Sequence, residues 1–140
     1  MKDVLIVEAE PAWRTQIKRL LDDVAVVMAT ADFRTGREWL ERVRPDVLIA
    51  NVRLGDYNGI HLAMLAERTR TTSVVYANAH DVGVARDVQQ AGAFYEQYEA
   101  LPFVLPGYLR GMLPALDRRD PSKYGRRRVR TDGRRATDKP

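Results

Sequence analysis

Short apolar runs alternate with stretches of helical periodicity along most of this chain. Val4-Leu5-Ile6-Val7 is the first run, apolar and mostly β-branched, as suits a strand buried on both faces. Residues 24–29, 47–50 and 74–77 repeat the pattern, with Thr72-Ser73 read as a turn before the fourth run. Residues 93–97 give a fifth strand, which Glu96 and Gln97 weaken and place at a sheet edge. Between the runs, Trp13, Ile17, Leu20 and Leu21 are spaced i, i+4, i+7, i+8, one face of a helix that opens at Pro11. Asp32 caps a second helix with Phe33, Gly36, Leu40 and Val43 on its inner stripe and Trp39 beside it, and Pro45 stops it. Leu62, Leu65 and Ala66 face inward on a third helix. Asp81 caps a fourth, carrying Val84, Ala85, Val88 and Ala91 and ending at Gly92. A last helix is expected within residues 103–117, short, kinked or broken by Pro102, Pro106 and Pro114.

Five strand–helix alternations predict an α/β fold: a doubly wound, five-stranded parallel sheet with helices on both faces and right-handed crossovers. In such sheets ligands bind just past the carboxyl ends of the strands. The central strand, which follows Pro45, ends there at Asn51 and opens into a loop containing Gly55 and Gly59. An amide is not a nucleophile, so Asn51 restricts what that end of the sheet can do.

The chain of 140 residues is sized for one domain. It has no cysteine, which excludes disulfides and thiolate chemistry, and His61 and His80 are too far apart in sequence to suggest a zinc site. No apolar run approaches the roughly 20 residues of a membrane span. With a strand beginning at once after Met1, no secretory signal is expected, and the protein is read as cytoplasmic. The formal charge of +4 is divided: residues 1–116 carry 13 Lys+Arg and 15 Asp+Glu, net −2, and residues 117–140 carry 10 and 4, net +6. The predicted organisation is a domain over 1–117 and an Arg-rich, disordered tail over 118–140.

Taken in order, these segments resemble the receiver domain of two-component response regulators over about residues 2–117. Val4 to Pro11 resembles the first strand and its acidic loop. Pro45 to Gly59 resembles the phosphoacceptor strand and loop, and Ala91-Gly92-Ala93 the turn before the fifth strand. The resemblance implies the flavodoxin-like strand order 2-1-3-4-5. It also implies an acidic pair that helps hold Mg²⁺, a phosphoacceptor Asp, a Ser or Thr after the fourth strand, a Lys after the fifth and an aromatic switch residue.

This chain departs at nearly every one of those positions. The acidic pair falls on Glu8 and Ala9, with Glu10 next to them but expected to point elsewhere. The phosphoacceptor is Asn51 and the hydroxyl position is Asn78. The lysine falls on Glu99, or on Leu101 if two residues are inserted, and the switch on Tyr95 or Tyr98. Arg53 could reach the rim and pair with Glu8. The resemblance therefore implies a degenerate pocket with no catalytic residue, metal or cofactor. The chain reads as a non-enzymatic, stand-alone pseudo-receiver acting by phosphorylation-independent contact with a protein partner, a sensor kinase or a downstream target. Trp13 is read as packing. Tyr95, Tyr98, Phe103 and Tyr108 belong to an apolar surplus that suggests an interface, with a homodimer expected through the helix 4–strand 5–helix 5 face. An alternative gives function to the tail: Arg126, Arg127, Arg128, Arg130, Arg134 and Arg135 would hold an anion, either nucleic acid or a cyclic dinucleotide such as cyclic di-GMP.

Overall fold

The structure is a computed structural model and describes residues 1–110. Five strands, β1 (Lys2–Val7), β2 (Ala25–Thr30), β3 (Val47–Asn51), β4 (Thr72–Ala77) and β5 (Phe94–Gln97), form one parallel sheet in the order β2-β1-β3-β4-β5. Five helices connect and follow them: α1 (Pro11–Leu21), α2 (Phe33–Arg42), α3 (Gly59–Arg68), α4 (Val82–Gln90) and α5 (Leu101–Leu109). The predicted doubly wound α/β fold and its flavodoxin-like order are both present.

Strand periodicity distributes the core. Val4, Ile6, Val47, Ile49, Val74 and Tyr76 pack on one face against Ile17 and Leu21 of α1 and Leu101 and Leu105 of α5. Their neighbours Leu5, Val7, Leu48 and Ala50 pack on the other against Leu40 of α2 and Leu62 and Ala66 of α3. Val75 and Ala77 meet Val88 of α4 on that second face. Successive strand residues point to opposite faces, so one apolar run serves two layers.

The helix ends follow local chemistry. Asp32 and Asp81 cap α2 and α4 through Thr35 and Val84 N–H groups. After α4, Gly92 adopts φ 87°. Its N–H bonds the Gln89 carbonyl while the Ala93 N–H bonds that of Val88, a Schellman closure that favours glycine.

Several boundaries differ from expectation. Thr72-Ser73 is not a turn: both residues are buried and pair with Val47 and Leu48, and the Thr72 N–H bonds the Asp46 carbonyl. The chain turns earlier, at Arg70, whose φ is 60°. The second strand runs one residue later than predicted, leaving Val24 exposed. Leu20 and Val43, placed on inner helical stripes, are also exposed. The loop after Asn51 holds a small antiparallel hairpin, Arg53–Leu54 with Tyr57–Asn58, whose Tyr57 ring stacks on Phe33. The last helix begins at Leu101, earlier than expected, with Pro102 in its first turn and Pro106 inside it. Its expected extension to 117, Pro114 and the 117/118 boundary lie outside the described residues.

Candidate functional site

Three strands bring polar residues to one point. Glu8 follows Ile6 by two residues, and Asn51 follows Ile49 by two, so both face the α1/α5 side. The register pairs Val7 with Ala50 and Asn51 with Tyr76, which sets Glu8, Asn51 and Tyr76 side by side across β1, β3 and β4. All three are buried, at 2%, 6% and 0% exposure. An ionisable group at that depth requires partners, and it has them. Glu8 Oε1 accepts from Asn51 Nδ2 at 2.9 Å and from the Tyr76 hydroxyl. Glu8 Oε2 accepts from the Glu10 N–H at 2.9 Å, and Asn51 Oδ1 from the Arg53 N–H at 3.0 Å. Burial, reinforced by the Glu8 charge, raises the Tyr76 pKa far beyond the ordinary phenol range. Tyr76 therefore stays protonated and remains a donor.

An aromatic stack covers this network. Tyr98 lies just past β5, its ring 5.7 Å from that of Tyr76, and Trp13 of α1 stacks on it at 3.9 Å with 22° between planes. The Tyr98 hydroxyl donates to Gln16 Oε1. Arg14 of α1 donates to the Glu8 carbonyl at 2.8 Å, tying the start of the helix to the β1 end.

The other sequence-predicted residues are dispersed. Ala9 and Glu10 are exposed, and Glu10 caps α1 through the Ala12 N–H, pointing away from the network. Asn78 is exposed beyond β4. Glu99 is exposed, and Leu101 is buried in the core. The Arg53 side chain is exposed and makes no ion pair among the described residues; the Asn51 amide, not Arg53, faces Glu8. Tyr95 and Tyr98 occupy opposite faces: the Tyr95 hydroxyl accepts the Asp81 N–H at the start of α4. Of the residues expected on the helix 4–strand 5–helix 5 face, Tyr108 is buried in the core, and Tyr95 and Tyr98 are partly buried. Phe103 stays in solvent. Arg126, Arg127, Arg128, Arg130, Arg134 and Arg135 lie outside the described residues.

Tyr76 is the member that the resemblance did not single out. Its signal was available: a phenol in a central strand, on the same parity as Val74, needs a hydroxyl partner when buried.

Mg²⁺ does not fit these residues. It needs oxygen ligands free to turn toward it. Both Glu8 oxygens and the Asn51 oxygen already accept N–H or O–H donors, and position 9 is alanine. Among the described residues no group of three acidic or histidine side chains could hold a metal.

One more carboxyl on this face is partly buried. Glu96 of β5 accepts from the Tyr108 hydroxyl at 2.7 Å. Burial raises its pKa above the ordinary carboxylate value, and the Tyr108 bond offsets part of that. A raised folded-state pKa means that the stabilisation is complete below the unfolded pKa and is lost as pH rises through the folded one. Glu96→Gln should therefore raise the urea midpoint at pH 7 and leave it nearly unchanged at pH 4. Equal effects at both pH values would remove ionisation as the cause.

Comparison with known proteins gives a consistent family. Residues 4–96 match the response regulator receiver domain. Similar solved structures include a LuxR-family two-component response regulator from Aurantimonas sp. SI85-9A1. It is 18% identical with a TM-score of 0.69, over 79% of this chain and 86% of that one. The response regulator domain of Thermotoga maritima CheB is 18% identical, also with a TM-score of 0.69, over 79% and 95%. A two-component response regulator from Clostridium difficile is 14% identical with a TM-score of 0.70, over 80% and 98%. At these identities the structures establish likeness of fold alone. No curated protein matches significantly. Among the described residues no helix is long and apolar enough to cross a membrane.

Proposed function

Since the chain belongs to the response regulator receiver domain family, we propose that it is a receiver working without phosphorylation, through contact with a protein partner in two-component signalling. The observation that carries this reading is the saturation of Glu8. Asn51 and Tyr76 donate to one of its oxygens and the Glu10 N–H to the other, inside the pocket where the family's chemistry would occur. Phosphoryl transfer needs a nucleophile and cationic stabilisation of the transferring oxygens. Asn51 supplies no nucleophile, and Glu99, Leu101 and Asn78 supply no cation or hydroxyl. The internal bonds hold the strand ends in one arrangement, so the chain presents a fixed surface in place of a phosphate-dependent one. On this reading it is not an enzyme, and its partner is a sensor kinase or a downstream target.

Incubation with acetyl phosphate and Mg²⁺, followed by intact-mass measurement, tests the reading. No acyl phosphate is expected. Asn51→Asp should also stay unlabelled, and rapid labelling of either protein would overturn the proposal. The same variant makes a stability prediction. Its new carboxylate would lie against that of Glu8, and like charges at that range raise one pKa strongly. Stability of the variant should be near normal in acid and fall as pH rises, by on the order of 3 kcal/mol if that pKa rises by about two. A flat difference from wild type between pH 4 and 8 would mean that the two carboxylates do not face each other.

A further inference from the structure

Apart from the buried network, an open cleft of about 310 Å³ lies between α1 and the start of α5. Ile17, Leu20, Tyr98, Leu101 and Pro102 make apolar walls. Two opposite charges also line it, Arg19 from α1 and Glu99 from the 3-10 turn Tyr98–Ala100. Both are exposed, and neither forms an ion pair among the described residues. The remaining lining residue is Gln16. Its amide oxygen accepts the Tyr98 hydroxyl, which turns its N–H groups outward as donors.

We propose that this cleft binds a small zwitterion with an apolar body, the class of free amino acids, its carboxylate on Arg19 and its ammonium on Glu99. The walls set the body of the ligand. A mostly apolar hollow with a few polar groups is what small-molecule sites look like, and this one is at the bottom of their size range, which suits a molecule of amino-acid size. The charges set its ends. An apolar acid would leave its carboxylate beside Glu99, and an apolar amine would meet Arg19; only a molecule carrying both charges pairs with both residues. A guanidinium matches a carboxylate with two parallel bonds, and the Gln16 amide adds a neutral donor. Tyr98 gives the site a link to the rest of the molecule. Its ring is a wall of the cleft and also packs on Trp13 and Tyr76, above the Glu8 network. A ligand seated here therefore touches the stack that covers the pocket. The site does not depend on whether that pocket can be phosphorylated, so either proposal can fail without the other.

Isothermal titration of the full chain tests the proposal. The probes are leucine and ε-aminocaproate, which carry the same two charges at different spacing, together with isocaproate and isoamylamine, which carry one charge each. At least one zwitterion should bind, and both single-charge probes should bind it at least about tenfold more weakly. Arg19→Gln and Glu99→Gln should each weaken that zwitterion about tenfold in Kd, with unchanged unfolding midpoints because both side chains are in solvent. In a Trp39→Phe background, which leaves Trp13 as the reporter, emission should change along the same titration curve. Absence of heat with both zwitterions, equal binding of a single-charge probe, affinity indifferent to Arg19 and Glu99, or binding that leaves Trp13 emission untouched would each overturn it.

Discussion

Gly59→Ala should cost about 3 kcal/mol or more, the upper end of ordinary overpacking. A Cβ at this position would lie 2.2 Å from the Asn51 carbonyl oxygen and 3.3 Å from the Val52 Cα. These are backbone atoms of the strand end that carries the network, so no rotamer change relieves the clash. The Gly59 N–H also bonds the Val52 carbonyl at 2.9 Å, which holds the first turn of α3 against that strand. Separation would break this bond and displace Asn51 from Glu8. The gain in helix propensity, about 1 kcal/mol, is too small to offset the loss. Gly36→Ala is the comparison. Its Cβ would meet Val7 Cγ2 at 2.8 Å, a side-chain atom that can turn away, so its loss should be clearly smaller. Urea unfolding of both variants tests the order. A Gly59→Ala protein as stable as Gly36→Ala would mean that the start of α3 can lift off β3 at little cost.

The fold was legible because its signals are local and redundant. Four apolar runs, the helix caps Asp32 and Asp81, and Gly92 each point to the same alternation, and small errors at Thr72 or Val24 leave the topology unchanged. Leu20 and Val43 were misplaced for a physical reason: a stripe defines a face, but its width depends on how far the neighbouring element reaches. The site was legible only in part. Glu8 and Asn51 are visible as polar residues ending apolar strands. Their closure by Tyr76 is a matter of register between β3 and β4, 25 residues apart along the chain, as the pairing of Asn51 with Tyr76 fixes it. Asn78 has the right parity but lies beyond the end of its strand, in solvent. Tyr98 could be separated from Tyr95 only once β5 had been placed: Tyr95 lies inside the strand on the α4 side, and Tyr98 lies past its end against Tyr76.

Glu8→Ala should be the most destabilising change within the network itself. It would leave the Asn51 amide and the Tyr76 hydroxyl buried without their acceptor, at about 1–3 kcal/mol for each unsatisfied donor. The total, roughly 2–6 kcal/mol before any cavity cost, is a large share of the roughly 5–15 kcal/mol typical of a domain. Tyr76→Phe removes one donor and leaves the carboxylate with Asn51 and the Glu10 N–H. A hydrogen bond to a charged group is worth about 1.5–3 kcal/mol, so this variant should lie between wild type and Glu8→Ala. Because Tyr76 and Glu8 share one bond, the double variant Glu8→Ala/Tyr76→Phe should be less unstable than the sum of the two single changes. Coupling between contacting residues commonly amounts to about 0.5–3 kcal/mol, and the value here belongs toward the upper end, since both groups are out of water. The aromatic stack provides a second readout. Tyr98 rests on Tyr76 and Trp13 rests on Tyr98, so Tyr76→Phe should preserve Trp13 emission, while Glu8→Ala, by freeing Tyr76 to turn, should change it. Additive losses together with unchanged Trp13 emission in Glu8→Ala would show that the carboxylate neither anchors Tyr76 nor positions the stack above it.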